Sequence, residues 1–376
     1  MNNALTIAAL RVSNTKMILN YIYHNKNATP LTLHQKTELS RPTIAQILKN
    51  IQQENLIYIK GLAESTGGRR ANLYSFNATA KISIGVEILI DHFELSAIDL
   101  YGDMLKYEKH SLPFANSSEY FDQICHFINL FIESLDYQAD QILGVGIALQ
   151  ALISADGKHI IYGKILNCTG LTIEEFSNRI PYPCSFNHDA ESMANVELWF
   201  NPMLQNAIFL NIRSDVSGAI IINRQFFQDG AYKSGIFEHM TLVPNGLPCY
   251  CGKKGCVNAY CSLNSLLKPQ EDIQYFFTQL RKGNASHIKR WHKYLDYLAT
   301  AIDNLHMTIN SNVILGGTLS HYLIEEDIEY IHQVILKKTA FPTAEKYISI
   351  STCTNLSACI GAAIPFVKNY LNSILK

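Results

Sequence analysis

The chain of 376 residues has no apolar run near the roughly 18 residues that would suggest a membrane-spanning helix. Met1 to Leu10 is mildly apolar but has neither a basic leader nor a clear cleavage site, so a cytoplasmic location with no membrane insertion is expected. Charged residues make up only 17% of the chain against 48% apolar ones, a globular balance that excludes wholesale disorder. There is no low-complexity tract and no short internal repeat. The length is enough for two or three domains with sizeable cores. Cysteine is not scarce. There are nine, an odd number, and three of them crowd between Cys249 and Cys256. In a cytoplasmic chain such a cluster points to a metal ion instead of disulfides.

The net charge of −1 hides an asymmetry. Residues 1–78 hold nine basic side chains (Arg11, Lys16, Lys26, Lys36, Arg41, Lys49, Lys60, Arg69, Arg70) against three acids (Glu38, Glu54, Glu64), so the rest of the chain is net acidic. A basic head on an acidic body suits nucleic-acid binding. Small domains often carry this much charge by chance, so the decision rests on local pattern.

Residues 13–24 show helical spacing, with Ile18, Leu19 and Ile22 on one face and Ser13 or Asn14 as cap. A second short helix is expected from about Thr32 to Leu39. Ser40 then sits as an N-cap, with Pro42 in the first turn, where a missing N–H costs little. This third helix continues to about Glu54 and buries Ile44, Ile47, Leu48 and Ile51. Leu56 to Lys60 alternates like a strand, and Leu73 to Phe76 can pair back across a Gly-rich turn. Three helices followed by a hairpin is the order of a winged helix-turn-helix, placed at residues 1–78. Its third helix would offer Arg41, Thr43, Gln46 and Lys49 to the major groove of double-stranded DNA, where Arg forks onto guanine and Gln onto adenine. In the wing and linker, Ser65 to Arg70, Gly67 and Gly68 let the backbone approach phosphate, and Arg69 and Arg70 could enter a minor groove. The competing reading is an ordinary helical subdomain with a solvated Arg-Arg linker.

From Ile82 the pattern becomes α/β. Lys81 to Ile90 and Phe93 to Asp99 read as paired strands, Phe121 to Leu135 as a helix and Ile142 to Leu149 as a buried strand. Ile208 to Ile212 and Ala219 to Asn223 form another strand pair, and Asn312 to Leu315 is a short buried strand. An α/β body with mixed sheets over residues 79–376 follows. Within it, His239, Cys249, Cys251 and Cys256 fall in one Gly-rich stretch. Three thiolates and an imidazole complete a tetrahedral shell, which suits one structural zinc ion per chain with no position left for water. Lys253 and Lys254 would favour the thiolate forms. Cys261 lies beyond the loop and reads as a buried thiol. The alternative is a set of reduced cysteines in a loop.

The run from His239 to Cys256 resembles the zinc signature of the ROK family (repressors, open reading frames and sugar kinases). Ser65 to Arg70 resembles the wing and linker of that family's repressors. Asn187-His188-Asp189-Ala190 is similar to the segment carrying the kinases' catalytic base, and Ile314 to Gly317 to the Gly-Gly turn near the adenosine site. The resemblance spans nearly the whole chain. It implies a two-lobed, actin-like ATPase fold, a sugar site between the lobes, and homodimers or homotetramers.

The kinase chemistry does not carry over with it. Phosphoryl transfer needs backbone N–H cradles built on glycine. Where the kinases have Asp-x-Gly-Gly-Thr, this chain has Glu87-Ile88-Leu89-Ile90-Asp91. Where they have Gly-Thr-Gly-x-Gly, it has Arg213 to Gly218, with Asp215 placed to repel a phosphate. The family's sugar-contacting positions correspond to His188, Asp189, Ile236, His239 and Asn258, so two carboxylates are replaced by apolar or neutral groups, and Gln150-Ala151 stands for the usual Pro-Gly. Asp189 is left as a vestigial general base without a phosphate donor. His188, Asp189 and Asn258 remain candidate ligand contacts. The expectation is a non-enzymatic transcription regulator, a repressor of carbohydrate genes by family habit. It would be controlled by a sugar or sugar phosphate in the cleft, or by a protein such as a sugar-transport component. The alternative is a sugar kinase with an accessory DNA-binding head.

Overall fold

The computed structural model describes residues 7–64, 70–227, 234–343, 345–352 and 357–376. The head runs α1 (Ile7–Asn25), β1 (Asn27–Ala28), α2 (Pro30–Thr37), α3 (Arg41–Gln53), β2 (Ile57–Leu62) and β3 (Asn72–Phe76). The strands form an antiparallel sheet in the order β1-β3-β2, with a bulge between Ile59 and Gly61. Helix α2 starts two residues earlier than its apolar spacing predicts because Thr29 is the cap. Thr29 Oγ1 accepts from the Thr32 N–H at 3.1 Å, and Pro30 needs no partner in the first turn. The helix stops where Glu38 turns left-handed at φ 59°.

The body runs through β4 (Ile82–Ile88), β5 (Phe93–Ile98), β6 (Met104–His110), α4 (Ser118–Glu133), β7 (Ile142–Leu149), the small hairpin β8 (Leu152–Ile153) and β9 (Ile160–Tyr162), α5 (Glu174–Ser177), β10 (Cys184–His188) and α6 (Asp189–Phe200). It continues with β11 (Ala207–Ile212), β12 (Val216–Ile222), β13 (Gln225–Phe226), α7 (Asn258–Cys261), α8 (Leu263–Leu266), α9 (Ile273–Arg281), α10 (Ala285–Ile309), β14 (Asn312–Gly316), α11 (Glu325–Leu336), β15 (Ile348–Ile350) and α12 (Ser357–Leu375). Two five-stranded sheets result, in the orders β6-β5-β4-β7-β10 and β13-β12-β11-β14-β15. In each, the first three strands are antiparallel and the last two join in parallel. This duplicated topology is the two-lobed, actin-like plan. No helix among the described residues is long and apolar enough to cross a membrane.

Helix α12 links the parts. It lies with its backbone against the first sheet and against α6. A Cβ on Gly146 would fall 1.8 Å from the Ala362 carbonyl oxygen, and one on Gly361 would fall 1.7 Å from that of Ser192. Further along, Ala363, Ile364, Val367, Leu371 and Leu375 of α12 share one apolar cluster with Ile18, Leu19 and Ile22 of α1 and with Ile44 to Ile51 of α3. The seat of the head is reinforced by two tyrosines. Tyr23 O–H donates to the Leu100 carbonyl at 3.2 Å, Tyr101 O–H donates to that of Tyr23 at 3.1 Å, and the rings stack 4.9 Å apart. Lys26 Nζ lies 3.2 Å above the Tyr101 ring. Trp199, in the last turn of α6, donates from Nε1 to the Tyr101 carbonyl at 2.6 Å. Because α6 begins at Asp189, a single helix runs from the space between the lobes to the seat of the head.

Candidate nucleic-acid interface, metal cluster and interlobe cleft

Ser40 accepts from the Thr43 N–H at 3.3 Å, which fixes the start of α3. The buried stripe of Ile44, Ile47, Leu48 and Ile51 leaves Arg41, Gln46 and Lys49 exposed and Thr43 half-buried. Thr43 Oγ1 is 2.8 Å from Ser40 Oγ, so its hydroxyl belongs to the cap and its methyl is the part free for a partner. The side-chain amides of Gln46 and Asn50 lie 2.9 Å apart, one helical turn from each other. Arg70 is exposed at the foot of the hairpin, while Gly68 and Arg69 lie outside the described residues.

In the second lobe, one ligand atom each from His239, Cys249, Cys251 and Cys256 falls within 4.8 Å of the others, a cluster that could hold a metal ion. Cys251 and Cys256 are 3.7 Å apart at sulfur, and Cys249 Sγ is 3.7 Å from His239 Nδ1. Burial lowers the His239 ring below its ordinary range, which favours the neutral form that ligates metals. Lys253 Nζ donates to the His239 carbonyl at 3.0 Å and ties the loop together. Cys261 is buried outside the cluster, as its position beyond the loop suggests.

Between the lobes lies a cavity of about 610 Å³. Its floor is an ion pair that joins the two lobes, from Arg213 Nη1 at the end of β11 to Glu87 Oε1 on β4. Both stand in the stretches that replace the phosphate turns. Burial lifts the Glu87 carboxyl above the ordinary range in spite of Arg213. The same burial opposes the Arg213 charge, but Glu87 more than offsets it and the guanidinium holds its proton. Asp189 Oδ2 accepts from Asn211 Nδ2 at 2.9 Å and from Ser217 Oγ at 3.2 Å. Asp215 lines the cavity and is also braced by its own turn. Its Oδ1 accepts from Asn258 Nδ2 at 2.8 Å, and Asn258 Oδ1 accepts from the Val216 N–H at 2.7 Å. Asn258 is therefore spent on bracing the turn.

A neighbouring space of about 70 Å³ lies among His188, Tyr162, Lys164, Ile236, Glu238 and Tyr250. Ligand pockets run about 300–1,000 Å³, and this space adjoins the larger cavity through Gln150 and Ile165, which line both. Glu238 was missed by the sequence reading. It lines the same space as Ile236, and burial pushes its carboxyl up to about 8. The signal was available, since Glu238 is the nearest acid in the same loop.

The ROK family model matches residues 83–368. The chain is 29% identical over 259 residues to a xylose repressor of Bacillus spizizenii, covering 68% of this chain and 67% of that one. Among solved structures it is similar to a ROK family transcriptional regulator, a homolog of the E. coli MLC protein, with a TM-score of 0.76 at 18% identity over 97% of this chain and 98% of that one. It is also similar to a ROK family glucokinase from Streptomyces griseus in complex with glucose and AMPPNP, with a TM-score of 0.65 at 18% identity over 76% of this chain and 98% of that one.

Proposed function

The chain belongs to the ROK family, and from that premise we propose that it is a sequence-specific DNA-binding repressor, responsive to a sugar-type ligand, of carbohydrate uptake or metabolism genes. Residues 1–78 are the DNA-binding head and 79–376 the effector and oligomerisation body. One observation carries the choice of regulator over kinase. A basic helix-turn-helix sits on a body in which a Glu87–Arg213 ion pair stands in the two stretches that replace the glycine phosphate turns. The sugar-kinase alternative needs glycine cradles that neither stretch has. Asp189, locked by Asn211 and Ser217, then serves as a cleft hydrogen-bond partner and transfers no proton.

Zinc is the metal that fits the cluster. Bonds of about 2.3 Å to sulfur and about 2.0 Å to nitrogen at tetrahedral angles put sulfurs about 3.8 Å apart and sulfur about 3.5 Å from nitrogen. The 3.7 Å separations agree. His239, Cys249, Cys251 and Cys256 would hold the ion, and its role is to staple a loop. A homodimer, or a homotetramer built as two such dimers, sets two α3 helices about 34–36 Å apart against a palindromic operator in the cytoplasm. A ligand or a transport-system protein regulates it only by binding the DNA-competent and incompetent states unequally. The path through α6, from Asp189 to Trp199, gives that difference a route to the head.

Gel-shift titration against fragments of the source genome tests the reading. The expected result is a sequence preference at moderate salt, and its absence would sink the proposal. On the best fragment, Arg41→Ala is expected to weaken binding by about 1–3 kcal/mol, roughly 5- to 150-fold, and to relax preference at one base pair. Lys49→Ala should instead weaken all sequences uniformly. Fluorescence anisotropy with single-base variants of the site distinguishes the two. Both side chains are exposed, so unchanged circular dichroism is expected alongside.

A further inference from the structure

The 610 Å³ interlobe cavity has the wrong charge for a nucleotide. Five carboxylates line it (Glu87, Asp91, Glu94, Asp189 and Asp215) against two full cations, Arg213 and Lys109. Three of those acids are more than nine-tenths buried, with Glu87 1%, Asp189 3% and Glu94 9% exposed. Glu87 and Glu94 face each other as register partners on β4 and β5. Side chains opposite each other on an antiparallel pair lie close, and like charges there repel.

Each of the three acids also keeps one buried oxygen without a hydrogen-bond partner among the described residues: Glu87 Oε2, Glu94 Oε2 and Asp189 Oδ1. Their other oxygens are served. Arg213 takes Glu87 Oε1, and Asn211 with Ser217 takes Asp189 Oδ2. Lys109 Nζ and His92 Nε2 stand 3.6 Å and 3.5 Å from Glu94 Oε1. His188 Nε2 approaches Asp189 Oδ1 no closer than 3.7 Å. Orphaned buried acceptors are costly, and buried carboxylates without counter-charge more so. A wall with surplus negative charge, backed by buried acceptors that lack partners, asks for a cation that donates hydrogen bonds. A primary ammonium brings three N–H donors and one full charge.

We propose that the interlobe cavity binds a small organic cation carrying a primary ammonium group, seated against Glu87, Glu94 and Asp189, in the space where the Glu87–Arg213 pair has displaced phosphate. A neutral polyol would supply donors but no charge, and a nucleotide would meet five carboxylates. The site stands apart from what the head binds, so its failure and that of the DNA-binding reading are distinguishable.

The test is thermal-shift and calorimetric titration of the full chain with putrescine and glucosamine, beside glucose, xylose and Mg-AMPPNP, at fixed ionic strength. Both amines are expected to raise the melting temperature with saturation, while the neutral sugars and AMPPNP do not match them. Glu94→Gln is expected to weaken amine binding at least tenfold. Asp189→Asn is a second variant, since its amide keeps the shape of the carboxylate. No shift with either amine, an equal shift with glucose or xylose, or full amine affinity in folded Glu94→Gln and Asp189→Asn proteins would each overturn the proposal.

Discussion

Cys256→Ser is expected to release the metal and to unfold the loop from His239 to Cys256. Cys256 is the fully buried member of the cluster. Around it, the Leu242 and Val243 N–H groups donate to the Gly255 carbonyl, and the Gly255 N–H donates to Leu247. Met240, Leu242 and Val243 anchor the start of the loop on the second lobe's core, and the stretch that carries the cysteines relies on the ion to fix it. In small zinc peptides the metal contributes about 10–16 kcal/mol of folding free energy. Losing a fraction of that here, on the order of 3–5 kcal/mol, lowers the melting temperature by roughly 4–6 °C for a chain of this size. Metal analysis together with calorimetry checks it, and a metal-free protein with undiminished stability would refute the stapling role. Because Val257 and Tyr260, just past the cluster, belong to the second lobe's core, damage should spread into that lobe before the first.

Arg213→Ala is the second large effect. It leaves Glu87 fully buried beside Glu94 and Asp189 with no counter-charge. Removing one partner of a buried pair costs about 3–5 kcal/mol, because the remaining charge is uncompensated. Replacing both, with Glu87→Leu and Arg213→Met, should recover most of the loss, since a buried pair is often no better than a well-packed apolar one. Urea denaturation of the three proteins measures this. Equal stability of Arg213→Ala and the unaltered chain would show that the pair does not fasten the lobes.

Local features were the legible ones. The caps at Ser40 and Pro42, the stripe of Ile44, Ile47, Leu48 and Ile51, and the strand Ile142 to Leu149 all depend on neighbours a few residues away. The cysteine cluster is also local, spanning His239 to Cys256. What escaped was set by distant partners. The Glu87–Arg213 pair joins residues 126 apart, and nothing near either one announces it. The brace between Asp215 and Asn258, 43 residues on, is likewise unannounced by anything near either residue. Helix α1 begins at Ile7, ahead of the expected start, because its first turns are exposed and carry no apolar stripe to mark them. The matching strand orders of the two sheets are invisible to a search for short repeats, since the lobes share topology and not residue pattern. The role of α12 rests on Gly146 and Gly361 allowing backbone contact, which only the packing reveals.

The account holds that α3 reads DNA and that the body has exchanged phosphoryl transfer for regulation. Hydroxyl-radical footprinting on the tightest-binding genomic fragment tests it most directly, with ADP release measured on the same preparation over a panel of hexoses. The predicted result is protection of two half-sites in successive major grooves, about 10 base pairs apart, lost in Arg41→Ala, with no sugar-dependent ADP release. Absence of any protected sequence at moderate salt, with sugar-dependent ADP release that vanishes in Asp189→Asn, would contradict it.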